Sequence, residues 1–259
     1  MSFRTAFARR LRAREGLAGT FIKSADPAVV EVLGLAGLDF AILDAEHVGI
    51  DRAGIAAMMV ASRAAQLPVL VRIPQLDGHW IATALDAGAA GIMAPQVPDA
   101  ATATRLAARM RYGAGGEAGG RGFSPSTPGA GYGSRGIAAH LDAHAGETVL
   151  ICQIEDPGAV ARSAEIAAVQ GVDGLLVGPV DLAVSAGFTS ATEPAVAAMT
   201  RDVLGACAGT AKTAGLFLGQ PDQAPGWQAD GANLFVLGTD QGFILNGARQ
   251  ALAQMRGTA

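Results

Sequence analysis

Charged residues are scarce in this 259-residue chain, at 16% of the sequence against roughly 25% in ordinary soluble domains. So thin a polar coat implies that surface is removed from water, and burial between subunits is the simplest way to do it. A basic surplus is lacking too. A net charge of −4 and a pI near 5.5 provide no footprint for nucleic acid, which needs a basic face. Mean hydropathy is +0.32, yet no apolar run reaches the ~18 residues of a membrane span. The longest runs break at Gly, Pro or Asp, so a soluble protein with no membrane partner is expected. Two cysteines, Cys152 and Cys207, are too few for a disulfide framework and read as small core residues of a reducing, cytoplasmic compartment. Arg4, Arg9, Arg10, Arg12 and Arg14 precede no apolar segment, so no secretory signal is expected.

What the chain has in abundance is short apolar runs alternating with Ala-rich helical stretches. Strands are predicted at 17–23, 39–44, 68–73, 91–95, 148–155, 174–179, 215–219 and 234–239, each continuous enough to be buried on both faces of a parallel sheet. Asp26-Pro27 and Asp156-Pro157 mark helix starts, and Asp51, Asp99 and Thr192 are further candidate caps. Phe3, Phe7 and Leu11 form one face of an N-terminal helix that packs under the fold with its arginines solvated. Eight βα units in about 250 residues is the arithmetic of a single (β/α)₈ TIM barrel over 1–259. A doubly wound sheet is the competitor, but no G-x-G-x-x-G follows the first strand. The Gly-, Ser- and Pro-rich stretch 111–136 interrupts the rhythm and reads as a lid or second-substrate loop on the C-terminal face.

Polar residues recur at predicted strand ends, where the active sites of such barrels lie. They are Asp44-Ala45-Glu46-His47, Arg72, Gln96, Gln153-Ile154-Glu155 and Gly178-Pro179-Val180-Asp181. Glu155 and Asp181 are hard oxygen ligands on adjacent units, suited to Mg²⁺ or Mn²⁺ completed by water and substrate oxygens. Either also serves as an ion-pair partner or helix cap. His47, three residues beyond Asp44, is spaced for a carboxylate-supported general base. Arg72 is a permanent cation in an apolar run and must meet a carboxylate. His79, His140 and His144 read as surface residues. The two lysines bear on Schiff-base chemistry: Lys212 lies in a helix, and only Lys23, ending strand one, is placed for it.

Taken together, these motifs, with Val71-Arg72-Ile73-Pro74 and with Gly187 following Leu182, resemble the HpcH/HpaI family of metal-dependent class II pyruvate aldolases along nearly the whole chain. The resemblance implies a (β/α)₈ barrel whose last helix, roughly 240–255, is exchanged between subunits of a homohexamer built as a trimer of dimers. It implies reversible aldol addition and cleavage between an aldehyde and pyruvate, or a 2-oxo acid such as hydroxypyruvate, through an enolate stabilised by Mg²⁺ or Mn²⁺, with Co²⁺ also compatible. On that likeness Glu155 and Asp181 hold the metal, and Arg72 stabilises the enolate oxygen. His47 with Asp44 forms the acid/base dyad, and Gln153 hydrogen-bonds the substrate or the metal's water. Gly178, Pro179 and Val180 belong to the substrate-binding loop, where the backbone amides near Val180 and Asp181 help hold the carboxylate, and Phe21, Phe217 and Leu218 line the pocket or belong to the barrel core. Lys23 and the long Gly-rich stretch depart from the family pattern. A CoA-ester lyase of the malyl- or citramalyl-CoA kind and a non-catalytic 2-oxo acid-binding barrel remain alternatives at this point.

Overall fold

The computed structural model describes residues 1–113 and 119–258. Eight strands form a closed barrel in sequence order: β1 (Leu17–Ile22), β2 (Phe40–Asp44), β3 (Val69–Arg72), β4 (Gly91–Ala94), β5 (Val149–Ile154), β6 (Gly174–Val177), β7 (Thr213–Leu218) and β8 (Leu234–Thr239). Every pair is parallel, and β8 closes onto β1. All eight expected strands are present, each within a few residues of its predicted limits.

Alternation along the strands separates two cores. Inward positions such as Leu17, Phe21, Phe40, Ile42, Leu70, Met93, Ile151, Leu176 and Val236 fill the barrel. Outward positions such as Ala41, Leu43, Val69, Val71, Ile92, Leu150 and Leu175 pack under the helices. This two-sided burial is why the strands read as unbroken apolar runs. Gly19 is dictated by that interior, because a Cβ there would lie 2.6 Å from the Phe40 ring.

Helix α1 (Phe3–Arg12) closes the N-terminal end of the barrel, with the Phe7 ring tilted against Phe40, centroids 5.6 Å apart. Its arginines are not all solvated: buried Arg4 pairs with Glu147 at 2.7 Å, because a guanidinium carried into a dry junction needs a carboxylate. The outer helices are α2 (Ala28–Leu35), α3 (Arg52–Ala65), α4 (Gly78–Ala87), α5 (Ala100–Met110), α6 (Ile137–Glu147), α7 (Pro157–Ala161), α8 (Ser163–Ala168), α9 (Pro179–Ser185), α10 (Pro194–Thr210), α11 (Ala224–Ala229) and α12 (Asp240–Arg256). Asp51, Asp99 and Asp156 cap α3, α5 and α7 through their side chains. Asp26 accepts from the Ala28 N–H but stands one residue before the α2 cap, Pro27, and Thr192 lies before the α10 cap, Glu193.

Two features depart from a plain barrel. Of α12 only Asp240 is buried, while Phe243, Ile244, Leu245, Leu252 and Met255 are exposed. The described part of the Gly-rich stretch is not over the C-terminal mouth. Helix α5 first carries the chain back to the opposite end, and the described parts, 111–113 and 119–136, stay there. Arg121 reaches Asp86 at the end of α4, and the Gly129 carbonyl accepts from Arg4. Residues 114–118 of that stretch lie outside the described residues. His140 and His144 are likewise buried rather than superficial, clustered with Tyr112 and Arg121 beneath this segment. Burial above all pushes His144 down to about 4.

Candidate active site

The inward positions at the C-terminal strand ends are polar where those below are apolar. Asp44 and Arg72 are register partners on β2 and β3. Arg72 Nε donates to Asp44 Oδ1 at 3.0 Å and Nη2 to Oδ2 at 2.7 Å, a two-pronged pair with almost no exposure on either side chain. The same Oδ1 accepts the backbone N–H groups of Glu46 and His47. Burial pushes Asp44 upward, but Arg72, the His47 N–H and Lys23 outweigh it and hold the carboxyl below its usual range. Arg72 also lies over the Phe21 ring, 4.5 Å from its centroid.

The expected side-chain dyad of Asp44 with His47 is therefore not formed. Asp44 is turned into the barrel by the strand alternation and spends its oxygens on Arg72 and the turn backbone. The half-exposed His47 ring faces Glu46 instead, with Nε2 3.7 Å from Oε2. Glu46 Oε2 also lies 3.3 Å from Arg72 Nε, whose single hydrogen is committed to Asp44, so this buried oxygen has no hydrogen-bond partner. Burial first, with the negative charges of Asp44 and Asp181, raises Glu46 against the opposing pull of Arg72 and His47.

Across the mouth, Glu155 follows β5 and is almost fully buried. Its Oε2 accepts the Gln96 N–H at 2.9 Å, and Gln96 takes positive φ to deliver it. A Cβ on Gly178 would stand 2.8 Å from Glu155 Oε1, so the glycine is required by the carboxylate beside it. Burial, reinforced by Asp181 and Glu46, raises Glu155 to about 7. Asp181 sits in the first turn of α9, and Glu155, Asp181, Gln96 and Asp156 share a cavity of about 260 Å³. Among the described residues no cluster of three or more His, Cys, Asp or Glu side chains could hold a metal. Two crowded carboxylates, one of them desolvated, nevertheless suit a hard divalent cation completed by non-protein oxygens.

A second cavity, about 190 Å³, opens at the barrel axis and is lined by Phe21, Lys23, His47, Arg72, Gln153, Gly178, Pro179, Val180, Asp181, Phe217 and Thr239. Gln153 Oε1 is buried there without a hydrogen-bond partner. Leu218, expected beside Phe217, is on the other face. Neighbouring strand residues point oppositely, so Phe217 lines the cavity and Leu218 packs into the helix-side core. The sequence set Gln96 and Glu46 among the polar strand-end residues without indicating a role for either, and it could not show that Thr239 reaches the cavity.

A family model, HpcH/HpaI aldolase/citrate lyase, matches residues 17–247. The chain belongs to this family. Relatives match it over nearly its whole length. A hydroxypyruvate/pyruvate aldolase of Paraburkholderia phytofirmans is 32% identical over 95% of this chain and 96% of its own. A 2-dehydro-3,6-dideoxy-6-sulfogluconate aldolase of Pseudomonas putida is 29% identical over 92% of both chains. An HpcH/HpaI family protein of Burkholderia cenocepacia superposes with a TM-score of 0.92 at 30% identity, covering 97% of this chain and 99% of that one. Membership in this lyase family agrees with the expectation drawn from the four strand-end motifs.

Proposed function

We propose that the protein catalyses reversible aldol addition and cleavage between an aldehyde and pyruvate, or a related 2-oxo acid such as hydroxypyruvate, with a divalent metal ion. The observation that carries the reading is one barrel mouth holding a carboxylate pair, Glu155 desolvated and Asp181 exposed, beside a buried arginine, an accessible histidine and an unpartnered amide oxygen. Glu155 and Asp181 would hold the cation, Mg²⁺ or Mn²⁺ by the hardness of these ligands, with Co²⁺ compatible. When bound, it would polarise the keto group of the 2-oxo acid.

The side chains supply the rest. His47, backed by Glu46 rather than by Asp44, takes a proton from C3 of the 2-oxo acid. The C–H pair becomes the C2–C3 double bond, and the carbonyl pair moves onto the keto oxygen. Arg72, held rigid by Asp44, presents a fixed positive charge to that oxygen as its charge develops, which is where preorganised electrostatics lowers a barrier. C3 then bonds to the aldehyde carbon, and the proton on His47 passes to the new alkoxide. The reverse order cleaves the product. Gln153 and the backbone of Gly178, Pro179 and Val180 position the 2-oxo acid, and Phe21 and Phe217 keep the cavity wall dry.

Lys23 and Arg72 are the cations of the cavity, with no cluster for CoA phosphates among its lining residues, which favours a 2-oxo acid over a CoA ester. The exposed apolar side chains of α12 support exchange of this helix between copies in a dimer-built hexamer. No helix of the described residues is long and apolar enough to cross a membrane. The buried thiols Cys152 and Cys207 suit a cytoplasmic setting. Pyruvate methyl-proton exchange in D₂O, followed by NMR, tests the reaction. Exchange that requires Mg²⁺ or Mn²⁺ and disappears in His47→Ala is expected; exchange indifferent to metal, or absent, would refute it.

A further inference from the structure

Gln96 stands two residues past β4, yet it bonds to groups that follow β5 and β2. Its main-chain N–H donates to Glu155 Oε2 at 2.9 Å, and its side-chain Nε2 donates to Glu46 Oε1 at 3.2 Å. The backbone is clamped on both sides. Pro95 precedes it with φ fixed by the ring, and the Val97 N–H donates to the Gln153 carbonyl at 3.1 Å. Gln96 itself takes φ 48°, a left-handed conformation that residues other than glycine adopt rarely and keep where their surroundings over-determine them. A glycine would take this conformation freely, so the backbone bond to Glu155 alone does not call for a glutamine.

What the side chain holds is the carboxylate beside the base. The bond from Gln96 is the sole hydrogen bond to the Glu46 side chain among the described residues. Glu46 Oε2 lies 3.3 Å from Arg72 Nε and 3.7 Å from His47 Nε2 without a hydrogen bond to either. Arg72 carries a permanent charge, whereas an imidazole is charged only once it has taken a proton. A carboxylate free to turn would therefore settle on Arg72 or in water and leave the ring. Tied at Oε1, it keeps Oε2 within reach of the imidazolium as that charge forms.

We propose that Gln96 is a positioning residue of the reaction: its side-chain amide fixes Glu46 so that the His47 ring is supported while it carries the C3 proton. The assignment rests on the aldolase reading and adds to it a residue that acts through another. Gln96 is absent from the lining of the axial cavity and belongs to the one it shares with Glu155 and Asp181. It joins the carboxylate assigned to the cation with the carboxylate beside the base, the first through its backbone and the second through its side chain. Substitution removes the second bond and leaves the first.

The test follows pyruvate methyl-proton exchange in D₂O by NMR, using holoenzyme with Mn²⁺. Gln96→Met keeps the backbone N–H and the length but removes the donor, and Gln96→Gly keeps the N–H, relieves the positive φ and removes the side chain. Both should lower kcat for exchange about tenfold and leave KM for pyruvate within about twofold of wild type. A role confined to the backbone would instead let Gln96→Gly match the wild type. Action through Glu46 is read from a double-mutant cycle: Glu46→Ala should lower kcat by about tenfold or more, and adding Gln96→Met to it should change kcat by less than about twofold. Calorimetry supplies a readout apart from turnover. Mn²⁺ should bind both Gln96 variants within about threefold of wild type, because the donor to Glu155 is main chain. Undiminished exchange in Gln96→Gly, fully multiplicative effects of Gln96→Met and Glu46→Ala, or Mn²⁺ binding lost from both variants overturns the assignment. Exchange by the wild type separates the two levels of failure. Metal-dependent wild-type exchange that the variants retain in full removes Gln96 alone, whereas absence of wild-type exchange removes the aldolase reading and this assignment with it.

Discussion

Replacing Glu155 with glutamine should make the metal-free protein more stable above neutral pH, although a buried, hydrogen-bonded side chain is being altered. In the folded chain burial raises the Glu155 carboxyl from 4.5 to about 7. Between those two values the folded state keeps a proton that the unfolded chain has released. Stability therefore falls as pH rises through this window, and the penalty is complete above pH 7. A difference of that size is worth about 3 kcal/mol at 25 °C. For a domain of this length it corresponds to roughly 6–12 °C in Tm. Glutamine keeps an oxygen to accept the Gln96 N–H and has no charge to desolvate. Melting curves at pH 5 and pH 8 with EDTA should show wild type losing stability across the interval and Glu155→Gln losing far less. Millimolar Mn²⁺ at pH 8 should then raise the wild-type Tm and leave the variant's unmoved, because ligand binding to the folded state alone stabilises it. If the two proteins show the same pH dependence in EDTA, or if the variant melts lower at pH 8, the carboxylate is not desolvated as described and the argument for a cation there fails.

Asp181→Ala should weaken Mn²⁺ binding at least tenfold by calorimetry while the circular dichroism spectrum of the barrel is retained. Arg72→Lys should still bind Mn²⁺ yet lose about a hundredfold or more in pyruvate proton exchange, since a point charge cannot both fork onto Asp44 and face the keto oxygen. Arg4→Ala leaves Glu147 buried with Arg135 as its remaining cation, 2.8 Å away. A loss of about 3 kcal/mol, the low end for breaking a buried pair, is expected by urea melts, with kcat unaffected. Leu245→Asp on the exposed face of α12 should lower the assembly state seen by sedimentation velocity.

The chain's own order of residues was enough to reveal the eight strands, the barrel they close and the polar residues at their C-terminal ends. A strand buried on both faces must be apolar throughout, so any Asp, Glu, Arg or Gln at its end stands out without reference to its neighbours. Asp51, Asp99 and Asp156 were legible as caps for a similar reason, as each bonds to backbone only a few residues away. What the sequence could not contain is which of these side chains meet. Spacing suggested that Asp44 supports the His47 ring, but alternation turns Asp44 inward to Arg72, twenty-eight positions along the chain, and leaves His47 to Glu46. The same alternation separates Phe217 from Leu218, which are adjacent in sequence and on opposite faces of one strand. The Gly-rich stretch was misplaced because composition marks an irregular segment without saying which end of the barrel it occupies; that depended on the eleven residues of α5 carrying the chain back first. The raised Glu155, the unpartnered oxygens of Glu46 and Gln153 and the two bonds of Gln96 all come from long-range closure of the barrel. Desolvation and charge crowding depend on distances through space, and those are set only when β1 and β8 join.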